Sequence, residues 1–194
     1  MRVGIMGGTF DPIHMGHLIA AEQVRDEHKL EEIWFLPAHV PPHKEQALAA
    51  DWQRCEMVAQ AIAGHPAFRL STLELDRTGV SYTVNTAREL ANRFPEHTFH
   101  FIIGADMVND LPKWYQIEEI VQHLSFIGLT RAGVPWRADA LPDWLKAHVV
   151  QGEMPHIGLS STQIRERCRN RQSIRYLVPA EVERYIKESR LYEE

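Results

Sequence analysis

Apolar positions along the chain fall into two alternating patterns. Short, nearly continuous runs at RVGIM (2–6), EIWFLP (32–37), FRLSTL (68–73), FHFIIG (99–104) and SFIGLT (125–130) predict β-strands. Between them the apolar residues recur at helical spacing. HLIAAEQVRDEH (17–28) puts Leu18, Ala21 and Val24 on one face, WQRCEMVAQAIAG (52–64) ends at a glycine, and YTVNTARELANRF (82–94) stops before Pro95. Strands that are apolar throughout need cover on both faces, so this strand and helix alternation predicts an α/β fold, a Rossmann-like doubly wound parallel sheet. PAEVERYIKESR, with Pro179 in its first turn, predicts a final helix and a small C-terminal helical part. The proline-rich, polar segments 37–50 and 131–148 predict loops or short irregular helices over the sheet, a placement that often carries specificity. With no internal repeat, low-complexity tract or linker, residues 1–194 read as a single domain.

Composition narrows the function classes. At 194 residues and 44% hydrophobic content the chain can bury a sizeable core, and it reads as an enzyme or a binding domain. Its net charge of −5 argues against nucleic acid as a partner, so an anionic ligand has to be captured by local chemistry. Cys55 and Cys168 are too few for a disulfide framework and fit no common zinc spacing. No apolar run approaches the roughly 18 residues of a membrane span, and no signal-peptide pattern opens the chain. The expectation is a cytoplasmic protein with no membrane partner, and self-association into a homo-oligomer is left open.

The first chemical signal is GIMGGTFDPIHMGH (4–17). In an open parallel sheet, ligands bind beyond the carboxyl ends of the strands, where the first strand delivers residues 7 to 17. Gly7 and Gly8 fall where a backbone approaches a nucleotide without a Cβ in the way. The helix that follows points its N-terminus at the same place, and His14 and His17, at i and i+3, share its first turn. Two imidazoles beside a helix start form an electropositive pocket suited to a phosphate. The segment lacks the Lys-Ser/Thr of a P-loop and is not G-x-G-x-x-G. A zinc site on the two histidines has no nearby Glu or Cys to complete it, while a purely structural pair of histidines stays open at this point.

The second signal is IGLSSTQIRERCRNR (157–171), in which Ser160 and Gln163 have capping-box spacing and predict a helix start around Ser161. Ser160, Ser161 and Thr162 place three hydroxyls beside free backbone N–H groups, with Arg165 one turn in. On its own this is equally a well-capped helix with a solvated basic face.

Taken together, HMGH and LSSTQIR resemble the HxGH nucleotidyltransferases, which place an H-x-G-H turn after strand one and an ISSTxIR helix near the C-terminus; Leu159 stands in place of the usual isoleucine. GGTFDPIHMGHL, FLPAHVPPHK, GVSYTVNT, FIIGADM, LPKWYQI and LSSTQIR, in that order, are similar to one family among them, bacterial nicotinate mononucleotide adenylyltransferase. The resemblance covers residues 7 to 165 and implies adenylyl transfer from ATP to nicotinate mononucleotide in NAD biosynthesis, with Mg2+ bound through the ATP phosphates; no residue is assigned as a metal ligand. It also implies that His17 and His14 are catalytic at the ATP phosphates. Gly7, Gly8, Thr9, Phe10, His43, Lys44, Ser160, Ser161, Thr162 and Arg165 would then bind phosphates or nucleotide. Thr83 and Trp114 would serve the nicotinate ring and its carboxylate, and Gly104 and Asp106 would lie near the nucleotides. Ser81 reads as the N-cap of the helix bearing Thr83. The rivals are another HxGH transferase, such as a pantetheine-phosphate adenylyltransferase or a cytidylyltransferase, against which SYTVNT and KWYQ speak, and a nucleotide-sensing module without catalysis. The sensor would be expected to lack a histidine or the Ser/Thr cap.

Overall fold

A computed structural model describes residues 1–39, 47–77, 81–130, 136–155 and 157–193. Six parallel strands, β1 (Arg2–Gly8), β2 (Glu32–Pro37), β3 (Phe68–Leu70), β4 (Thr98–Gly104), β5 (Leu124–Leu129) and β6 (Val149–Gly152), form one sheet in the order β3-β2-β1-β4-β5-β6. The order reverses between β1 and β4, so the carboxyl ends of these two strands flank the crevice where doubly wound sheets take their ligands.

Strand alternation builds two cores. Val3, Ile5, Trp34, Leu36, Phe99, Phe101 and Ile103 face one side, under α3 (Thr83–Arg93), α4 (Ala105–Asp110) and α5 (Ile117–His123). Met6, Ile33, Phe35 and Ile102 face the other, under α1 (Met15–Glu27), α2 (Asp51–Ile62), α7 (Ser161–Arg169) and α8 (Ala180–Glu188). Gly4 allows the close approach on this second side, since a Cβ there would lie 2.6 Å from Ile33 Cδ1 and 2.8 Å from Leu30 Cδ1.

The strands and helices predicted from periodicity are present, with shifts at their ends. α1 begins at Met15 rather than 17, β3 stops at Leu70, and Pro179 precedes α8 as its N-cap instead of sitting inside its first turn. The segment predicted as loops or short helices contains a 3-10 turn (Ala138–Ala140) and the four-residue α6 (Asp143–Lys146). β6 was not predicted. It is a four-residue edge strand with a single fully buried position, Gly152, so it carries no apolar run to betray it.

Candidate active site

The β1 strand ends at Gly7 and Gly8, and the chain then turns through Phe10 in a left-handed conformation, φ 50°. Both glycines are required by packing: a Cβ on Gly7 would meet the Phe101 ring at 2.9 Å and one on Gly8 the Phe10 ring at 3.0 Å. The Phe10 ring is buried and supports the site from beneath, with its face or edge on Phe35 at 5.9 Å and on His17 at 5.1 Å. Any contact it makes with a nucleotide is therefore through its backbone. Thr9 Oγ1 is buried with no hydrogen-bond partner among the described residues.

His14 is the N-cap of α1 and is buried, and its ring stacks on that of His17 with centroids 3.7 Å apart. Gly16, between them, makes this stack feasible, because a Cβ there would lie 3.0 Å from His14 Nδ1. The His14 backbone N–H donates to His17 Nδ1 at 3.2 Å. An imidazole that accepts at Nδ1 carries its proton at Nε2 when neutral, so this bond makes His17 Nε2 a hydrogen-bond donor.

The C-terminal motif docks on this loop. Ser160 caps α7 by accepting from the Gln163 N–H at 3.2 Å, and Gln163 Oε1 accepts the Ser160 N–H in return. Ser161 Oγ donates to the Pro12 carbonyl at 2.8 Å, and Arg165 donates through one terminal nitrogen to the Asp11 carbonyl at 2.8 Å and through the other to Thr162 Oγ1 at 3.2 Å. Arg165 Nε is buried without a partner among the described residues. Two motifs separated by about 150 residues thus share one edge of the crevice.

Residues that sequence reasoning missed hold this arrangement. Buried Asp11 accepts from the Leu48 and Ala49 N–H groups at 2.8 and 3.1 Å and from the Tyr192 hydroxyl at 2.7 Å. Burial and the adjacent Asp11 carboxylate push the Tyr192 phenol far above its ordinary range, so the proton stays on tyrosine. Arg54, fully buried, donates to the Thr9 and Ala38 carbonyls at 2.6 and 2.7 Å and to Asp51 at 2.6 Å, tying the ends of β1 and β2 together. Asp51 also holds His39 Nδ1 at 2.5 Å. Burial works against the Asp51 charge, but hydrogen bonds from Arg54 and His39 outweigh it and keep the carboxyl below its usual range. None of these pairings has a local sequence spacing that would announce it, apart from Asp51 and Arg54 at i and i+3.

On the other side of the crevice, Gly104 caps α4 and Asp106 is exposed in its first turn. Trp114 follows a 3-10 turn (Leu111–Lys113) and is half-buried, edge-on to Phe126 at 5.7 Å. The turn bearing Thr83 lies beside it: the N-cap of α3 is Tyr82, whose ring meets that of Tyr115 at 5.1 Å. This corrects the expectation for Ser81, whose hydroxyl lies outside the helix and accepts the His39 N–H at 3.2 Å. A cap further along by one residue follows from Tyr82, which still has extended backbone angles (φ −76°, ψ 130°). His43 and Lys44 fall outside the described residues.

The sequence profile of the cytidylyltransferase-like family matches residues 5–167. A protein of Oceanobacillus iheyensis named as a probable nicotinate-nucleotide adenylyltransferase is 47% identical over 191 residues, covering 98% of this chain and 96% of its own. One of Bacillus licheniformis with the same name is 45% identical, covering 99% and 98%. The chain belongs to the nicotinate-nucleotide adenylyltransferase family. Among solved structures, Plasmodium falciparum nicotinic acid mononucleotide adenylyltransferase complexed with NaAD superposes with a TM-score of 0.78 at 20% identity, over 99% of this chain and 97% of that one. The likeness establishes that the adenylyltransferase fold is shared.

Proposed function

We propose that this chain transfers the adenylyl group of ATP to nicotinate mononucleotide, releasing pyrophosphate and forming nicotinate adenine dinucleotide. The observation that carries the reading is the docking of the α7 start onto the Asp11–Pro12 turn beside the stacked histidines. It gathers imidazole, guanidinium and hydroxyl groups at the crevice between β1 and β4.

In this reading an oxygen of the mononucleotide phosphate attacks the α-phosphorus of ATP, and the bond from that phosphorus to the β-phosphate oxygen breaks. The nucleophile is already an anion, so no side chain has to remove a proton. Catalysis is positioning and charge stabilisation. His17 Nε2–H, fixed as a donor by the His14 N–H, stabilises the reacting phosphoryl oxygens, and the buried His14 ring orients it. Thr9 Oγ1 and the α7 start, with Arg165, hold the phosphates that depart. Among the described residues there is no group of three His, Cys, Asp or Glu side chains able to hold a metal, so Mg2+ would be carried by the ATP phosphates, whose charge it neutralises. Trp114 stacks on the nicotinate ring, and the first turn of α3 at Thr83, whose N–H groups lack intrahelical partners, receives its carboxylate. Asp106 and Gly104 line the nucleotide side. The cytoplasm suits the two separate free cysteines, and none of the described helices is long and apolar enough to cross a membrane.

The test is incubation of purified chain with ATP, Mg2+ and a panel of phosphorylated acceptors, with pyrophosphate release and product mass as readouts. Nicotinate mononucleotide is expected to give the largest kcat/KM. Turnover with pantetheine phosphate or an alcohol phosphate instead would overturn the acceptor assignment.

A further inference from the structure

Glu74 is a buried carboxyl group that the transfer chemistry does not use. It follows the short strand β3, and among the described residues it is stabilised from α3 and the segment leading into it. Thr86 Oγ1, in α3 and fully buried, donates to Glu74 Oε1 at 2.7 Å. The direction of that bond is fixed, because Arg77 donates to the same Thr86 oxygen at 2.7 Å and leaves the hydroxyl proton for the carboxylate. The Ser81 hydroxyl, whose oxygen accepts the His39 N–H at 3.2 Å, also favours the charged form of Glu74. The Thr86 donor to Glu74 is polarised by Arg77, which strengthens that bond. Burial raises the Glu74 carboxyl above its ordinary value, and the hydroxyls of Thr86 and Ser81 and the charge of Arg77 oppose that rise.

The two hydroxyls stand on either side of the turn from Tyr82 to Asn85. Ser81 comes just before the α3 N-cap, and Thr86 follows the first helical turn. The Glu74 carboxylate holds the end at Thr86, and the His39 N–H holds the end at Ser81, so the N–H groups at Thr83 and Val84 are fixed between two anchors. Ser81 also takes the N–H of His39, two residues beyond β2, whose ring nitrogen is held by Asp51, the ion-pair partner of Arg54. The turn is thereby tied to the same frame that holds Thr9 at the end of β1.

We propose that Glu74 is the positioning residue for acceptor recognition: it touches no substrate but sets the α3 turn at the spacing from Trp114 that a nicotinate carboxylate requires. The proposal rests on the reading that this turn receives the carboxylate. Its signature is a selective effect on one substrate, since the ATP phosphates lie on the other edge of the crevice.

The test is steady-state kinetics of Glu74→Gln with each substrate varied in turn, and calorimetric titration of nicotinate mononucleotide alone. A glutamine keeps the shape but presents an NH2 to one of the two hydroxyls. The expected result is a rise of about tenfold in KM and Kd for nicotinate mononucleotide, the size of one lost hydrogen bond to a charged group, with kcat and KM for ATP changed by less than about twofold. The preference over nicotinamide mononucleotide should shrink by the same factor. Thr86→Ser, which keeps the hydroxyl, should behave like wild type, and Thr86→Val should reproduce Glu74→Gln; this pair carries the test if Glu74→Gln does not fold. An unchanged KM for the acceptor, or equal rises for acceptor and ATP, would overturn the proposal. Thr83→Pro separates the two levels of argument. If it abolishes the acceptor preference while Glu74→Gln leaves it intact, Glu74 alone is refuted. If wild type shows no preference for the nicotinate form, the carboxylate reading itself fails.

Discussion

The role proposed for His17 rests on one backbone hydrogen bond. Because the His14 N–H occupies Nδ1, the only proton a neutral His17 ring can offer is at Nε2, and the edge contact with Phe10 and the stack on His14 leave the ring little freedom to turn. Removal of one such preorganised donor costs about 100-fold to 1,000-fold in rate. His17→Ala is expected to fold with an unchanged circular dichroism spectrum and to lose turnover by that factor. His17→Asn, whose side-chain oxygen can still accept the His14 N–H but whose NH2 falls short of the Nε2 position, should be equally inactive, which separates loss of the donor at that position from loss of the inward bond. Near-wild-type turnover in either variant removes His17 from the mechanism. Both histidines were legible in the sequence, because H-x-G-H places them on one turn. Asp11, Arg54 and Glu74 were not: each is defined by partners such as Tyr192, Thr9 and Thr86 that reach it only through the tertiary fold.

Helix α7 shows how an element-level signal can be legible and still incomplete. The capping box was readable from Ser160 and Gln163 and is present, but the docking of Ser161 and Arg165 on the Pro12 and Asp11 carbonyls was not, since nothing local encodes it. In the proposed reading Arg165 has two tasks, and its substitution should separate them. Arg165→Ala is expected to lower stability by about 1 kcal/mol through the lost Asp11 bond, and to weaken ATP and pyrophosphate by roughly tenfold or more while leaving nicotinate mononucleotide nearly unaffected. Calorimetry with the three ligands decides it; equal losses for all three would mean that the guanidinium only supports the loop. A second element-level prediction concerns the pairing of β4 with β5, where His100 and Ser125 are register partners and His100 Nδ1 lies 2.7 Å from the Ser125 hydroxyl. Burial, with the charges of Arg2 and His28 adding to it, holds the His100 imidazole below its ordinary 6.5. Between the two values the unfolded chain binds more protons than the folded one, so stability rises with pH and is lost as pH falls from about 6.5 toward the lower folded value. The urea midpoint of wild type is expected to fall between pH 7.5 and 5.5 by more than that of His100→Gln. Parallel declines in the two proteins would show that the pair does not contribute.

At the scale of the whole molecule, the parallel α/β sheet and the placement of the crevice beyond β1 follow from the periodicity of the strands, while the sixth strand and the closure of the C-terminus onto the first loop do not. Tyr192 is buried after α8, at the far end of the chain, yet its hydroxyl donates to Asp11, whose main chain carries the turn into His14. The same carboxylate holds the Leu48 and Ala49 N–H groups, so the last turn of the chain, the approach to α2 and the histidine loop meet at one acidic side chain. Tyr192→Phe removes one donor from a buried carboxylate and leaves the ring in place. A hydrogen bond to a charged group is worth about 1.5 to 3 kcal/mol, which for a chain of this length corresponds to a Tm lower by roughly 3 to 12 °C. If the bond also sets the loop, turnover measured well below that Tm should drop by about tenfold with KM values little changed, because His14 and His17 move relative to the reacting phosphate while the binding surfaces of α3 and α7 persist. A variant with the lower Tm but full turnover would confine Tyr192 to stability, and one with an unchanged Tm would mean that water replaces the hydroxyl at Asp11 without loss.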